Sequence, residues 1–149
     1  MAERETLHFK IGLSGEYWDK KPKYSILINN TVVKSGGVAT QSNDLFYVEF
    51  DFEFEGSTEN KLSVRLNNKS SSDTVENSGK TEILKDMLLH IKSLHIDDID
   101  VGPLLWTNTQ FIGDDRSRPI LKNCVDLGWN GAWEFPFESP FYIWLLEKI

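Results

Sequence analysis

The sequence predicts an all-β protein, a two-sheet antiparallel β-sandwich of jelly-roll type. Residues 46–54 alternate apolar side chains with mostly acidic ones, and a two-residue period of this kind is typical of a half-buried antiparallel strand. Asn29 and Asn30 stand between two β-rich runs, and adjacent residues that tolerate positive φ favour a tight hairpin turn. Short strands separated by turn residues are typical of a sandwich.

Two further segments carry the same alternation. Leu7, Phe9, Ile11 and Leu13 share one face of a first strand, and residues 62–66 have the pattern of another inward-facing strand. The side chains that we expect in the core are Phe50, Phe52, Val64, Leu66, Leu89 and Ile91.

The middle of the chain combines a polar segment with an interrupted apolar pattern. Residues 68–84 are rich in Ser, Asn, Asp and Gly, which predicts a surface loop. After it, apolar residues fall at 89 and 91, at 94 and 96, and at 99 and 101. Each jump of three residues indicates a β-bulge or a strand that bends between sheets. A strand is favoured here, and helix formers in 82–92 leave a helix open as the alternative.

A single domain is expected for a chain of 149 residues, with residues 127–149 as an aromatic carboxyl-terminal extension. Pro136 and Pro140 predict that any strand in this extension is short or lies at a sheet edge, because proline cannot donate to the ladder. Residues 141–149 fit either a last strand or a short helix.

Charge and hydropathy exclude several kinds of partner. A formal net charge of −7 disfavours nucleic acid and anionic lipid, which both need a basic face. No apolar run approaches the about 20 residues that span a bilayer, and the amino terminus has no apolar export segment. We therefore expect synthesis in the cytoplasm without a signal peptide and no membrane partner.

The sequence favours a function without catalysis. It has no GxSxG motif, and Cys124 has no adjacent base, so a structural cysteine is expected. A strand would place His90 and His95 on opposite faces unless a bulge intervenes. A glycosidase needs two carboxylates about 5 to 10 Å apart. That alternative stays open because nothing in the sequence selects the pair.

Several aromatic residues lie beside turn residues, outside the apolar runs. Exposed aromatic rings stack on sugars while nearby Asp, Asn and Gln side chains bond the hydroxyls, so the predicted carbohydrate-binding residues are Trp18, Tyr17, Trp106 and Asp115. The alternative is that the tryptophans close the ends of the sandwich. For Trp18 and Trp106 this structural role is favoured as much as sugar binding, and for Trp129 and Trp133 it is favoured over sugar binding.

Acidic residues also cluster at 97–100 and at 114–115, where carboxylate oxygens suit calcium. They match no EF-hand spacing, and an acidic protein has such clusters by chance. Solvated turns are therefore favoured for Asp97 and Asp98.

Residues 62–102 add a resemblance to a known family. A strand ending in Asn-Asn ("LSVRLNN") precedes a polar loop with Asp73 and then an aspartate that opens an apolar strand ("KDMLLHIKSLHIDDIDVG"). This order resembles the calcium-dependent xylan-binding carbohydrate-binding modules, which are β-sandwich jelly rolls, over residues 7–102. The resemblance implies a polysaccharide or cell-surface glycan as partner and calcium as cofactor, with the ion held by Asp73, Asp86, Asn67 and Asn68.

The chain departs from that family's pattern at two places. Asn68 stands where the family has an aspartate, and "MLL" at 87–89 stands where it has Arg-Asn-Leu. One carboxylate fewer weakens a calcium site. If calcium binds, it raises the melting temperature, because an ion that binds only the folded state stabilises it.

A second resemblance is one of general character. A leaderless, acidic β-sandwich is similar to small virion proteins of tailed bacteriophages. We therefore expect a non-catalytic protein displayed as an accessory or structural component of the virion, in contact with surface glycan, with other virion proteins or with itself. The alternatives are a purely structural assembly protein and a glycoside-active enzyme domain.

Overall fold

The computed structural model describes residues 4–38, 45–105 and 107–148. The strands are β1 (Arg4–Glu16), β2 (Lys23–Ile28), β3 (Thr31–Gly37), β4 (Phe46–Glu55), β5 (Thr58–Leu66), β6 (Val75–Glu76), β7 (Ile83–Lys85), β8 (Leu88–Ile96), β9 (Ile99–Asp100), β10 (Gln110–Gly113), β11 (Leu121–Lys122), β12 (Asp126–Leu127) and β13 (Gly131–Ser139). The helices are α1 (Gly102–Leu105) and α2 (Phe141–Lys148), and Ser71–Asp73 form a 3-10 turn.

Two antiparallel sheets pack against each other. The first has the order β12-β8-β1-β4, with β9 paired to β8, and the second has the order β11-β10-β13-β5-β2-β3. Strands β6 and β7 form a separate hairpin inside the polar segment 68–84. The predicted two-sheet antiparallel sandwich is confirmed.

The core lies between the sheets and follows the predicted alternation. Leu7, Phe9, Ile11 and Leu13 are fully buried along β1, and the rings of Phe9 and Phe50 stack with centroids 5.0 Å apart. Five of the six predicted core residues are buried. The exception is Phe52, which is only partly buried because β4 is the edge strand of its sheet.

The two local irregularities of the pattern have different structures. Gly12 pairs with Ser93 and Leu13 pairs with Ile91, so Lys92 is the extra residue of a β-bulge. The bulge keeps the apolar residues on both sides of it facing the core. The second break, after Ile96, is a tight turn at residues 97–98, whose φ angles are 51° and 64°. The strand interpretation of this segment is confirmed, and the helix is not formed.

The predicted Asn-Asn turn is present between β2 and β3. Asn29 and Asn30 have φ angles of 50° and 70°, the left-handed region that such hairpin turns require. The side-chain oxygen of Asn29 also accepts a hydrogen bond from the Lys61 backbone N–H at 2.8 Å, which joins the turn to β5.

The carboxyl-terminal segment corrects the expectation drawn from its prolines. Strand β13 is long and central, between β10 and β5, although it contains Pro136. Its pairing with β10 extends only as far as Glu134, and the Pro136 carbonyl accepts a hydrogen bond from the Asn108 side chain on that side at 3.0 Å. Pro136 has no N–H to donate towards β10. Because the hydrogen-bond ladder between β10 and β13 ends before Pro136, no ladder bond is lost there.

Helix α2 follows β13 and packs against it through Phe141, Trp144 and Leu145. Residues 141–148 thus form the short helix of the two predicted alternatives. None of the helices in the described part of the chain is long and apolar enough to cross a membrane.

Candidate functional site

An open groove lies at one end of the second sheet, where Leu66 of β5, Gly131 of β13 and Gly113 of β10 are paired neighbours. The connections that leave these strands line it, through residues in 69–76, 83–86, 114–118 and 128–130. Its volume is about 720 Å³, compared with about 440 Å³ for a depression beside α2. We call this feature the loop groove.

Lys69 enters the loop groove from a fixed backbone. The side-chain oxygen of Asn130 accepts a hydrogen bond from the Lys69 N–H at 2.8 Å, and the Asn130 amide nitrogen donates to the Lys69 carbonyl at 2.8 Å. One side chain thus satisfies both backbone groups of Lys69, as a neighbouring strand would. The start of the loop is therefore attached to the start of β13.

The Lys69 ammonium group is held against a carboxylate and a carbonyl. Its nitrogen lies 2.7 Å from Asp86 Oδ1 and donates to the Gly128 carbonyl at 2.5 Å. Asp86 Oδ1 also accepts from the Thr74 hydroxyl at 2.7 Å and from the Met87 N–H at 2.8 Å. Burial alone would raise the pKa of Asp86, but these hydrogen bonds and the lysine charge together lower it.

Asp73 lies in a different arrangement. Its Oδ2 atom accepts hydrogen bonds from the Ser70 N–H at 2.7 Å and the Ser70 hydroxyl at 3.0 Å, and the Lys20 ammonium lies 3.2 Å away. Desolvation opposes ionisation of this buried carboxyl, but its partners lower the pKa of Asp73 overall. Asp73 caps the 3-10 turn and pairs with a second lysine.

The two asparagines belong to a third arrangement, along the start of β2. The Asn68 side chain accepts from the Lys23 N–H at 2.8 Å and donates to the Lys21 carbonyl at 2.9 Å. The Asn67 side chain donates to the Ser25 hydroxyl at 2.7 Å. Both amides join the end of β5 to β2.

The four predicted calcium ligands are therefore each engaged with other groups of the protein. Asp73, Asp86 and the Asn67–Asn68 pair belong to three separate hydrogen-bond sets, and a lysine ammonium already neutralises each carboxylate. Calcium takes six to eight oxygen ligands. Within residues 4–38, 45–105 and 107–148, no group of three or more His, Cys, Asp or Glu side chains is placed to hold a metal ion. These residues do not fit a shared calcium ion.

Tyr17 and Trp18 line a shallower depression beside the loop groove, and Ile83 and Asp86 line both. Trp18 is 45% exposed. Its indole nitrogen donates to the Asp73 carbonyl at 2.9 Å, and the Lys85 ammonium lies 5.0 Å from the ring centroid. An aromatic face of fixed orientation is thus present where the sequence predicted one. Trp106, the third predicted aromatic residue, lies outside the described residues.

Asp115 lines the loop groove, as a predicted sugar-binding residue should, but its carboxylate is engaged locally. Its Oδ1 atom accepts from the Ser117 N–H at 2.9 Å and from the Ser117 hydroxyl at 2.6 Å. These bonds, with the nearby Arg118 charge, lower the pKa of Asp115.

Trp129 is the groove aromatic that sequence reasoning missed. It is partly buried, its ring centroid lies 5.5 Å from that of Phe111, and the Arg118 guanidinium carbon lies 4.3 Å from the indole ring. A Cβ on Gly113 would lie 2.5 Å from the Trp129 nitrogen, so the indole passes where the strand has no side chain. Trp133, in contrast, is fully buried in the core. In the sequence, the glycines at 128 and 131 indicate a turn around Trp129. This turn is the signal that distinguishes Trp129, in the groove, from Trp133, in the core.

Comparisons with known proteins agree with this fold. No protein-family model matches the chain, and no curated protein matches it. A solved structure of vCBM60 in complex with galactobiose is similar with a TM-score of 0.52 and 11% identity, over 86% of this chain and 96% of that one. A selenomethionine form of vCBM60 is similar with a TM-score of 0.53 and 11% identity, over 87% of this chain and 89% of that one. Its description concerns circular permutation as a link between two families of calcium-dependent carbohydrate-binding modules. The chain therefore has the β-sandwich fold of a carbohydrate-binding module, and the resemblance expected from the sequence is confirmed at the level of the fold.

Proposed function

We propose that this chain is a non-catalytic carbohydrate-binding protein and that its ligand, a polysaccharide or cell-surface glycan, lies in the loop groove. The observation that carries the proposal is the placement of Trp129 in a groove whose other lining residues are mostly charged or polar. A sugar that stacks on this ring takes the place of the Arg118 guanidinium, whose carbon lies 4.3 Å from the ring centroid. A sugar presents apolar C–H faces and a rim of hydroxyl groups, so a site of this kind offers both contacts at once. Trp18, in the adjoining depression, extends the aromatic surface.

The pKa directions of two groove carboxylates, Asp86 and Asp115, support binding without catalysis. A glycosidase needs a general acid, a carboxyl group whose pKa is raised so that it carries a proton near neutral pH. The pKa values of Asp86 and Asp115 are both lowered by their hydrogen-bond partners. These two groups therefore stay ionised and are suited to accept hydrogen bonds from sugar hydroxyls.

Calcium is the second element of the resemblance, and for this chain it stays a prediction. vCBM60 is described with calcium-dependent modules. In this chain, the amides and carboxylates predicted to hold the ion are engaged with Lys20, Lys69 and β2. In the proposed binding mode, side chains of the groove therefore contact the ligand. Every binding experiment should include a condition with chelator.

A glycan array tests the proposal, with galactobiose and xylan oligosaccharides included as probes. The wild type is expected to bind at least one glycan. Trp129→Ala is expected to weaken binding of that glycan by about fivefold or more, because stacking of an aromatic ring contributes about 1 kcal/mol or more. Tyr47→Ala is the matched control, since Tyr47 is 47% exposed on the outer side of β4. No bound glycan, or equal loss in both variants, contradicts the proposal.

A second candidate function is assembly with other proteins, which includes display on a phage virion. The observation that favours it is the outer side of α2, where Tyr142, Ile143 and Leu146 are 45%, 61% and 73% exposed. Apolar groups grouped on a surface are typical of contact sites. Copurification with phage particles, lost in Ile143→Ser but retained in Trp129→Ala, would support this function; a monomer that never associates with particles contradicts it.

A further inference from the structure

The Lys69 ammonium group occupies an unusual place for a lysine, the interior of an open groove. The Lys69 side chain is 10% exposed and the Asp86 side chain is 16% exposed. By comparison, the Lys20 side chain, which pairs with Asp73, is 40% exposed. A nearly enclosed ion pair loses much of its hydration, so its geometry is maintained only if its partners are well placed.

Those partners are placed before any ligand arrives. The Asn130 amide holds both backbone groups of Lys69, and the Asn68 amide holds the start of β2 beside it. Asp86 is held in turn by Thr74 and by the Met87 N–H. The ammonium nitrogen is therefore fixed from both ends of the ion pair.

The atoms around this nitrogen are of the kind that bind a hard metal ion. Carboxylate and backbone carbonyl oxygens are usual calcium ligands. Here the Asp86 carboxylate oxygen and the Gly128 carbonyl oxygen contact the lysine, at 2.7 and 2.5 Å. An ammonium group has three N–H donors, and these two acceptors use two of them. The third remains for an acceptor in the groove.

We propose that Lys69 is the built-in cation of the loop groove: its ammonium group donates a hydrogen bond to a hydroxyl oxygen of the glycan, and the groove binds its ligand without a divalent ion. This inference rests on the proposed carbohydrate-binding function for the ligand and adds the group that replaces the metal. The positive charge strengthens a hydrogen bond to a sugar oxygen, as charge-assisted bonds are stronger than neutral ones. The ionised carboxylates of the groove accept from the hydroxyls beside it.

The binding test uses the full chain and a glycan found on the array, titrated by calorimetry in calcium and in chelator. The wild-type affinity is expected to be the same within about threefold in the two conditions, and Lys69→Met is expected to bind at least about tenfold more weakly. Lys20→Met is the matched control, because it removes the other lysine paired with a loop aspartate. Its affinity is expected to change by less than about threefold. A wild-type affinity that falls more than tenfold in chelator, or equal affinities of the two variants, overturns the inference.

A second measurement needs neither a glycan nor a variant. If Lys69 occupies the cation position, wild-type melting curves in calcium and in chelator coincide; a melting temperature raised by calcium overturns the inference. The two proposals therefore fail separately. An array without any bound glycan contradicts the proposed function, and the melting curves still decide whether the lysine or a metal ion is the cation.

Discussion

The Trp18 indole nitrogen donates a hydrogen bond to the backbone oxygen of Asp73 at 2.9 Å. This bond connects the segment after β1 to the 3-10 turn of the polar loop, and the Lys20–Asp73 ion pair lies beside it. The loop that separates β5 from β8 is thus attached to the sandwich by residues that also form its candidate binding surface. Loss of the Trp18 bond should therefore lower the stability of the protein.

Trp18→Phe tests this attachment, because it keeps an aromatic ring and removes the donor. The Asp73 carbonyl then loses a partner, and we expect the free energy of unfolding to fall by about 0.5–1.5 kcal/mol. Denaturant unfolding measures the change. Tyr47→Phe, at an exposed ring of β4, is the control that should stay within about 0.5 kcal/mol. Equal stabilities of the two variants would show that the bond contributes nothing.

Acid should release the two loop aspartates from their lysines. The folded-state pKa values of Asp73 and Asp86 lie below the ordinary value of 3.8, so the folded chain binds fewer protons than the unfolded chain. Their stabilising contribution is therefore fully present above pH 3.8 and is lost as the pH falls through the folded pKa values. Asp86→Asn should cost about 1–3 kcal/mol near neutral pH and much less well below that pKa. A pH-independent difference from the wild type contradicts this account.

The Asn29–Asn30 turn gives a matched pair of glycine substitutions. Both residues have positive φ, which glycine also adopts, but only the Asn29 side chain bonds Lys61 N–H and Asn60, each at 2.8 Å. Asn30→Gly should therefore leave the unfolding free energy within about 0.5 kcal/mol of the wild type. Asn29→Gly should lower it by about 1–2 kcal/mol. Thermal unfolding of both variants decides; a larger loss for Asn30→Gly would mean that the turn has another conformation.

The first strand caps the last helix. Glu5 accepts hydrogen bonds from the Phe141 N–H at 2.9 Å and the Ser139 hydroxyl at 2.9 Å, and its charge lies at the amino end of α2. Glu5→Ala should destabilise the protein by about 0.5–2 kcal/mol and expose α2 to proteolysis, because the first N–H groups of a helix need an acceptor. Thr6→Ala is the neighbouring control. A cleavage rate equal to that of the control would exclude the cap.

The strands could be predicted because their signals are local. The alternation in β1 and β4, the Asn-Asn turn and the phase break at Lys92 each lie within a few residues of sequence. Strand β13 was misjudged for the opposite reason. Whether Pro136 is tolerated depends on where β10 ends, at the pairing of Gln110 with Glu134, and that pairing is not visible in the segment itself.

The candidate site was predicted only in part, because its residues meet across long sequence separations. The partners of Lys69 are Gly128 and Asn130, which lie 59 and 61 residues further along the chain, and Arg118 of the β10–β11 connection contacts Trp129 of the β12–β13 turn. The sequence predicts Asp86 as a calcium ligand, but its partner in the structure is the Lys69 ammonium. No motif in the sequence marks this lysine as the partner. A carboxylate in a polar loop predicts a charged partner without specifying whether that partner is a metal ion or an ammonium group.

The most direct test of glycan binding in the loop groove is an amide NMR titration of the wild type, in chelator, with the glycan selected on the array. The largest shifts are expected at the backbone amides of Lys69, Asp86, Gly128, Trp129 and Asn130, residues that line the groove. Shifts confined to the depression beside α2, around Trp144 and Pro136, would contradict it.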